Sequence, residues 1–195
     1  MVTKSSTSMH INGRRISLND RPFIIAEISA NHNGDIDRAL AIILEAKKAG
    51  ADAVKLQTYT ADTITLDSNR DEFKINGGLW HGCTLYDLYS EANLPWDWHR
   101  PLFDRATELG LSIFSSPFDK TAVDFLETLN APAYKIASFE AIDLPFIEYV
   151  AGTGKPMIIS TGMADFEEIS EAIEAAKSGG CKEIAILHCV SGYPA

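Results

Sequence analysis

The sequence predicts an α/β fold organised on a parallel sheet, and three observations carry that prediction. Short apolar runs of about four to six residues alternate with segments whose apolar positions recur at helical spacing. Helix punctuation brackets those segments, with Asp35 and Asp165 placed to cap and Gly50 and Gly110 placed to stop. The strand bodies are apolar while the residues that end them are polar, as expected of buried strands that present chemistry at one edge of a sheet.

Taken in order, Asn12-Gly13 lies between His10-Ile11 and Ile16-Ser17-Leu18 and reads as a small hairpin. Phe23 to Ile28 is a strand. A helix capped by Asp35 follows, with Ile36, Leu40, Ile43, Leu44 and Ala46 on its apolar side. Ala53 to Gln57 is the second strand. A long irregular stretch then runs from Tyr59 to Pro95, and a helix from Trp96 to Leu109. Beyond Gly110 the units shorten. Strands at Leu111–Ser115, Ala133–Ile136, Met157–Ser160 and Ile184–His188 alternate with helices at Asp119–Leu129, Leu144–Val150 and Asp165–Lys177. Six strands and five crossovers are βαβ architecture, and no Gly-rich dinucleotide fingerprint follows the first strand. Two arrangements stay open on this reading, a six-stranded doubly wound sheet and an incomplete barrel, since a whole (β/α)8 barrel needs eight strands and about 250 residues.

Composition narrows the function. With 195 residues, 46% of them hydrophobic and 23% charged, the chain can bury one sizeable core and is not a disordered or collagen-like protein. Seventeen basic residues against 27 acidic ones give a net charge of −10 with no basic tail, which argues against nucleic-acid binding through phosphates. An anionic substrate would have to meet positive charge gathered inside a cleft. No apolar run approaches the roughly 20 residues of a membrane span, and Met1 to Met9 lacks the hydrophobic core of a secretory signal. Cys83, Cys181 and Cys189 fit neither a disulfide framework nor a zinc knuckle. The expectation is an acidic cytoplasmic protein.

In either arrangement ligands bind at the carboxyl ends of the strands. Those ends read Glu27, Ser29, Asn31 and His32; Lys55 and Gln57; Ser115 and Ser116; Lys135, Ser138 and Glu140; Ser160, Thr161 and Gly162; His188, Ser191 and Tyr193. A lysine within an apolar run is costly to bury unless it meets an anion. Lys55 and Lys135, in the same slot of two strands and surrounded by hydroxyls, therefore suggest a compact site for phosphate or carboxylate. Plainer roles stand beside this one. Glu27 could simply pair with a lysine, Ser138 and Glu140 could be turn and cap groups, and Gly162 could serve the strand-to-helix turn. His32 reads as a loop hydrogen-bonder, His188 as a core histidine, Cys181 and Cys189 as small packers and Met163 as packing. Trp80, Trp96 and Trp98 with Tyr86 and Tyr89 are either loop packing or a ligand or partner wall.

The motifs Phe-Ile-Ile-Ala-Glu-Ile-Ser-Ala-Asn-His-Asn-Gly (23–34), Ala-Val-Lys-Leu-Gln-Thr (53–58), Ser-Ser-Pro-Phe-Asp (115–119), Tyr-Lys-Ile-Ala-Ser-Phe-Glu (134–140), Gly-Lys-Pro-Met-Ile-Ile-Ser-Thr-Gly-Met (154–163) and Leu-His-Cys-Val-Ser-Gly-Tyr-Pro (187–194) resemble, in order, those of the sialic acid synthase family. Gly78-Leu79-Trp80, Thr84 to Tyr89 and Pro95 to His99 are most similar to its pseudaminic acid synthase branch. The resemblance implies a TIM (β/α)8-type barrel, incomplete in this chain. Residues 1–20 would be lead-in and hairpin and 21–195 the partial barrel, without the family's C-terminal antifreeze-like domain.

It further implies condensation of phosphoenolpyruvate with an acetamido-sugar aldehyde of the 2,4-diacetamido-2,4,6-trideoxy-altrose type, giving pseudaminic acid and phosphate. Family alternatives are N-acetylneuraminate and legionaminic acid synthases; outside the enzyme class stands a non-catalytic anion-binding or assembly module. By motif, Lys55, Ser116, Lys135, Ser138, Ser160 and Ser191 correspond to phosphoenolpyruvate contacts, and Gln57 and Tyr193, with Glu27, to sugar contacts. Glu140, with Glu27, corresponds to the catalytic carboxylates. Some members carry Thr at the position of Ser116 and Asn at that of Ser191. The resemblance also implies a divalent metal, Mn2+ or Mg2+, whose histidine ligands lie on segments not in this chain, a homodimer when complete, and little turnover by these 195 residues alone.

Overall fold

A computed structural model describes residues 8–78 and 80–191. It opens with an antiparallel hairpin, β1 (Met9–Ile11) and β2 (Arg14–Ile16), turned by Asn12 and Gly13 with φ of 50° and 78°. Positive φ at both central positions is what a tight hairpin turn requires, and Asn-Gly supplies it with least strain. Ser17 and Leu18 fall outside the pairing, and Leu18 is fully in solvent.

The main body runs β3 (Ile25–Glu27), α1 (Ile36–Lys48), β4 (Ala53–Thr58), α2 (Ala61–Ile64), α3 (Leu85–Ala92), α4 (His99–Glu108), β5 (Ser112–Pro117), α5 (Lys120–Thr128), β6 (Tyr134–Ile136), α6 (Leu144–Ala151), β7 (Met157–Ser160), α7 (Phe166–Ser178) and β8 (Ile184–Leu187). Asp35, Asp119, Asp143 and Asp165 cap α1, α5, α6 and α7 through bonds from first-turn amides to their carboxylates. Two expectations need correction. The helix expected from Trp96 begins at His99, because Pro95 to Trp98 forms a 3-10 turn. The stretch expected to be irregular contains α2 and α3. The signal for α3 was present: Thr84 with Asp87 three residues on, and Leu85, Leu88, Tyr89 and Ala92 at helical spacing.

The six parallel strands lie side by side in the order of the chain, β3-β4-β5-β6-β7-β8. A doubly wound sheet reverses its order at a switch point; this one does not, so the barrel arrangement is the one the chain adopts. Side chains alternate across the sheet. Val54, Leu56, Ile113, Tyr134, Ile136, Met157 and Ile159 pack outward against the helices in the main core. Ile25, Ala53, Phe114, Ala133, Ile158 and Ala185 point to the concave side and join Met9 and Ile11 of the hairpin in a second cluster. Residues of β3 and β8, the two outermost strands, share that cluster, so the sheet is curled. The hairpin plugs the lower end. Asp52 fixes it there: burial pushes this carboxyl up, but the Ile24 amide, Arg14 and Arg21 outweigh burial and hold it below its ordinary value. What remains open is the rim at the C-terminal strand ends.

One polar chain interrupts the outer core. Thr58, Ser115 and His99 are buried together, with Thr58 Oγ1 2.8 Å from His99 Nε2 and 2.7 Å from Ser115 Oγ. Burial pushes the His99 imidazole down to about 4. An unfolded histidine titrates near 6.5, so between about pH 6.5 and 4 only the unfolded chain takes up this proton. The stability that His99 contributes is therefore complete above pH 6.5 and falls by up to about 3 kcal/mol towards pH 4. Urea unfolding of wild type and His99→Gln across this range should show the difference between them shrinking as the pH falls; a difference independent of pH would contradict a buried neutral ring.

Candidate functional site

The alternation that puts apolar residues on the lower concave face continues upward into polar ones. Glu27, Lys55, Gln57, Ser116, Lys135 and Ser160 occupy the concave-facing parity of β3, β4, β5, β6 and β7. Register aligns Glu27 with Lys55 and Gln57 with Ser116 on neighbouring strands. Lys55, only 5% exposed along its side chain, places Nζ 2.8 Å from Glu27 Oε2 and donates to Ser116 Oγ at 3.4 Å. Ser116 and Ser160 are themselves buried.

Lys135 stands across the curl. Burial pushes its ammonium below the ordinary lysine value, the charge of Lys55 adds to this, and Glu27, Cys189 and Glu140 oppose it. Glu140, in a 3-10 turn over Phe139–Ile142, is pushed the other way: burial raises its carboxyl and Asp143 adds to that, against Lys135 and a backbone hydrogen bond. Its Oε2 is enclosed and has no hydrogen-bond partner among the described residues. Two groups shifted towards neutrality from opposite sides can pass a proton at moderate cost.

The loops after β6, β7 and β8 converge on Gly162. Its amide donates to Ser138 Oγ at 3.2 Å, Ser138 Oγ lies 4.0 Å from Cys189 Sγ, and Thr161 Oγ1 donates to the Leu187 carbonyl at 2.9 Å. A Cβ on Gly162 would stand 2.6 Å from Ser191 Oγ and 2.9 Å from Ser138 Oγ, so the close approach of these hydroxyls requires glycine. Ser191 adopts a φ of 54°. The structure thus gathers Glu27, Lys55, Ser116, Lys135, Ser138, Glu140, Ser160 and Ser191 at one rim, with Gln57 beside Ser116. Tyr193 lies outside the described residues.

Several plainer readings are corrected. Cys189 is not an apolar packer. Partial burial raises its thiol, but hydrogen bonds with Ser160, Thr161 and Ser138 and the charge of Lys135 outweigh that and lower it below the ordinary cysteine value. Its signal lay in its position directly after the last strand, which composition alone could not weigh. His188 is exposed rather than part of the core, and Met163 is 65% exposed. His32, by contrast, is the loop hydrogen-bonder expected: it is buried and its Nδ1 accepts from the Gly34 amide. Among the described residues no three His, Cys, Asp or Glu side chains converge so as to hold a metal ion, and no helix is long and apolar enough to cross a membrane. Glu27 is committed to Lys55 and Glu140 is pushed towards its neutral form, so the donors at the rim do not fit a divalent ion by themselves.

A curled parallel sheet with lysines, carboxylates and hydroxyls at its C-terminal rim defines a (β/α)-barrel protein with its cleft in the usual place for that fold. The chain belongs to the NeuB family, whose sequence profile matches residues 42–195. It is 49% identical over 173 residues to a pseudaminic acid synthase of Helicobacter pylori, covering 89% of this chain and 51% of that protein. It is 37% identical to an N,N'-diacetyllegionaminic acid synthase of Legionella pneumophila, covering 89% of this chain and 50% of the other. The N-acetylneuraminic acid synthetase of Leptospira borgpetersenii, solved with citrate, superposes with a TM-score of 0.83 at 29% identity, over 97% of this chain and 61% of that one. The chain spans about half the length of the curated relatives it matches.

Gly162→Ala should destabilise the chain by about 1–3 kcal/mol, the usual range for forcing a methyl group into a filled space. Chemical denaturation measures this, and a neutral effect would mean that the three loops do not meet as described.

Proposed function

We propose that this chain forms the phosphoenolpyruvate side of a nonulosonic acid synthase that joins phosphoenolpyruvate to a 2,4-diacetamido-2,4,6-trideoxy-altrose-type aldehyde, yielding pseudaminic acid and phosphate. The observation that carries the reading is the buried Lys55 and half-buried Lys135 facing one hydroxyl-lined cleft. The sugar choice is supported by identity, which is 49% to pseudaminic acid synthases and 37% to a legionaminic one.

In this reading Lys55 and Lys135 neutralise the phosphate and carboxylate, while Ser116, Ser138, Ser160 and Ser191 donate hydrogen bonds to their oxygens. The enol carbon of phosphoenolpyruvate attacks the aldehyde carbon; the enol C=C and aldehyde C=O π bonds break as the new C–C bond forms, and the aldehyde oxygen takes up a proton from solvent. The former enol C2 is left cationic, and in this reading Glu27 and Glu140 are the carboxylates that stabilise that charge. Water adds to C2. Glu140, a stronger base than an ordinary carboxylate once ionised, accepts one proton of that water; the tetrahedral adduct then breaks its C2–O bond to phosphate, the C2 carbonyl forms, and the hydroxyl proton leaves with the phosphate. Gln57 and Tyr193 orient the sugar. The proposal includes a divalent ion, Mn2+ or Mg2+, which would supply Lewis-acid chemistry; the rim carboxylates do not fit it by themselves. The proposal extends to a cytoplasmic homodimer of the longer chain.

Calorimetric titration with phosphoenolpyruvate tests the reading. Lys135→Ala should weaken binding by tenfold or more. Anion binding requires protonated Lys135, whose value is already depressed, so affinity should decline with rising pH well before ordinary lysine titration, and binding should take up protons there. Equal affinity in wild type and Lys135→Ala would defeat the assignment. On the longer enzyme, phosphate release with N-acetylmannosamine but not with the diacetamido sugar would overturn the choice of substrate.

A further inference from the structure

We propose that His99 is a positioning residue for the cleft, acting through Thr58 and Ser115 to hold the ends of β4 and β5 where Gln57 and Ser116 face inward. The functional sense of this rests on the reading of the cleft above; the geometry does not. Gln57 and Ser116 are register partners on the concave side. Thr58 and Ser115, their chain neighbours, turn to the convex side and are wholly buried, in a layer otherwise built from residues such as Val54, Leu56 and Ile113. An isolated hydroxyl there would be costly. Each has a partner instead, and the partners form one chain.

The directions of those hydrogen bonds are determined by chemistry. His99 Nδ1 faces the Pro95 carbonyl at 3.3 Å, and a carbonyl can only accept, so Nδ1 carries the hydrogen of the neutral ring. Nε2 is then an acceptor and takes the Thr58 hydroxyl proton at 2.8 Å. Thr58 Oγ1, its own proton committed, accepts from Ser115 Oγ at 2.7 Å. With the Nδ1 hydrogen on the Pro95 carbonyl, donation runs from Ser115 to Thr58 to His99 to Pro95, and the Ser116 carbonyl, 3.4 Å from Ser115 Oγ, is a second and longer acceptor for the Ser115 proton.

The ring is also held in place. It meets Phe125 edge-on, with centroids 5.2 Å apart and planes at 82°, and Phe125 stacks on Trp96 at 4.7 Å. Trp96 Nε1 donates to the carbonyl of Tyr59, the residue after Thr58, at 3.4 Å. The Pro95–His99 turn therefore grips the end of β4 at two successive residues and reaches β5 through one hydroxyl. A valine would fill the space of Thr58 and bury more cheaply, but it could not fix the strand ends in one arrangement; satisfied polar chains in cores can supply that specificity.

The test uses the isotopically labelled chain with Thr58→Val, Thr58→Ser and His99→Gln. In wild type, ring 15N shifts should show a neutral imidazole protonated at Nδ1. Thr58→Val should accelerate amide exchange at Gln57, Thr58 and Ser116 by tenfold or more relative to Ile136 and Ile159 on the β6–β7 pair, and Thr58→Ser, which keeps the hydroxyl, should restore it. His99→Gln, whose amide oxygen can accept from Thr58, should lie between. Phosphoenolpyruvate affinity should follow the same order, with fold confirmed by circular dichroism. An Nε2-protonated ring, or acceleration spread evenly over all six strands, would overturn the proposal by showing only a packing role. Local acceleration in a chain that does not take up phosphoenolpyruvate in its wild-type form would support the positioning role and overturn the functional reading instead.

Discussion

Lys55 places an ammonium group inside a parallel sheet, with 5% of its side chain in contact with water, and the surrounding structure answers that charge. Glu27 on the adjoining strand meets it at 2.8 Å because the β3–β4 register sets the two residues side by side. Ser116 on the other side offers a lone pair at 3.4 Å. Lys135 then brings a second positive charge to the same site with no ion pair among the described residues, and burial, with the charge of Lys55, depresses its protonation. An arrangement of one paired and one underpaired lysine has room for an anion by charge balance alone. Adding one would relieve repulsion between the two ammoniums rather than create it.

The fold makes that enclosure possible by separating its two ends. Two-residue alternation sends every second side chain to the concave face, and strand position decides what that side chain is. Near the N-terminal ends it is Ile25, Ala53, Phe114, Ala133, Ile158 or Ala185, closed off by Met9 and Ile11 of the hairpin. One or two steps further along it is Glu27, Lys55, Ser116, Lys135 or Ser160. The lower end is closed by packing, and at the rim the loops from β6, β7 and β8 close around Gly162. The low dielectric underneath strengthens whatever electrostatic contact forms above.

Much of this was legible in the sequence, and the limits are informative. Strand positions came through because buried parallel strands read as apolar runs, and the polar residues ending them named the rim before any geometry was known. The choice between a doubly wound sheet and a barrel was not legible from periodicity, since both repeat the same βαβ unit; strand order, a long-range property, decides it. α3 was missed although its capping pair and apolar spacing were in view, because an eight-residue helix flanked by glycines and polar turns carries a weak local signal. The roles of Cys189 and His99 were not legible for a different reason. What each does depends on partners brought in from other strands, Ser138, Ser160 and Lys135 for the thiol, Thr58 and Ser115 for the ring, and no local pattern encodes those meetings.

The central claim is that the rim of this NeuB-family chain is built around a small anion held between Lys55 and Lys135. A crystal structure of the chain grown with phosphoenolpyruvate tests it most directly. The account predicts phosphate and carboxylate oxygens within hydrogen-bonding distance of both ammonium groups and of the Ser116 and Ser160 hydroxyls. Phosphoenolpyruvate bound elsewhere, with Lys55 still paired only to Glu27 and Lys135 turned away from the ligand, would contradict it.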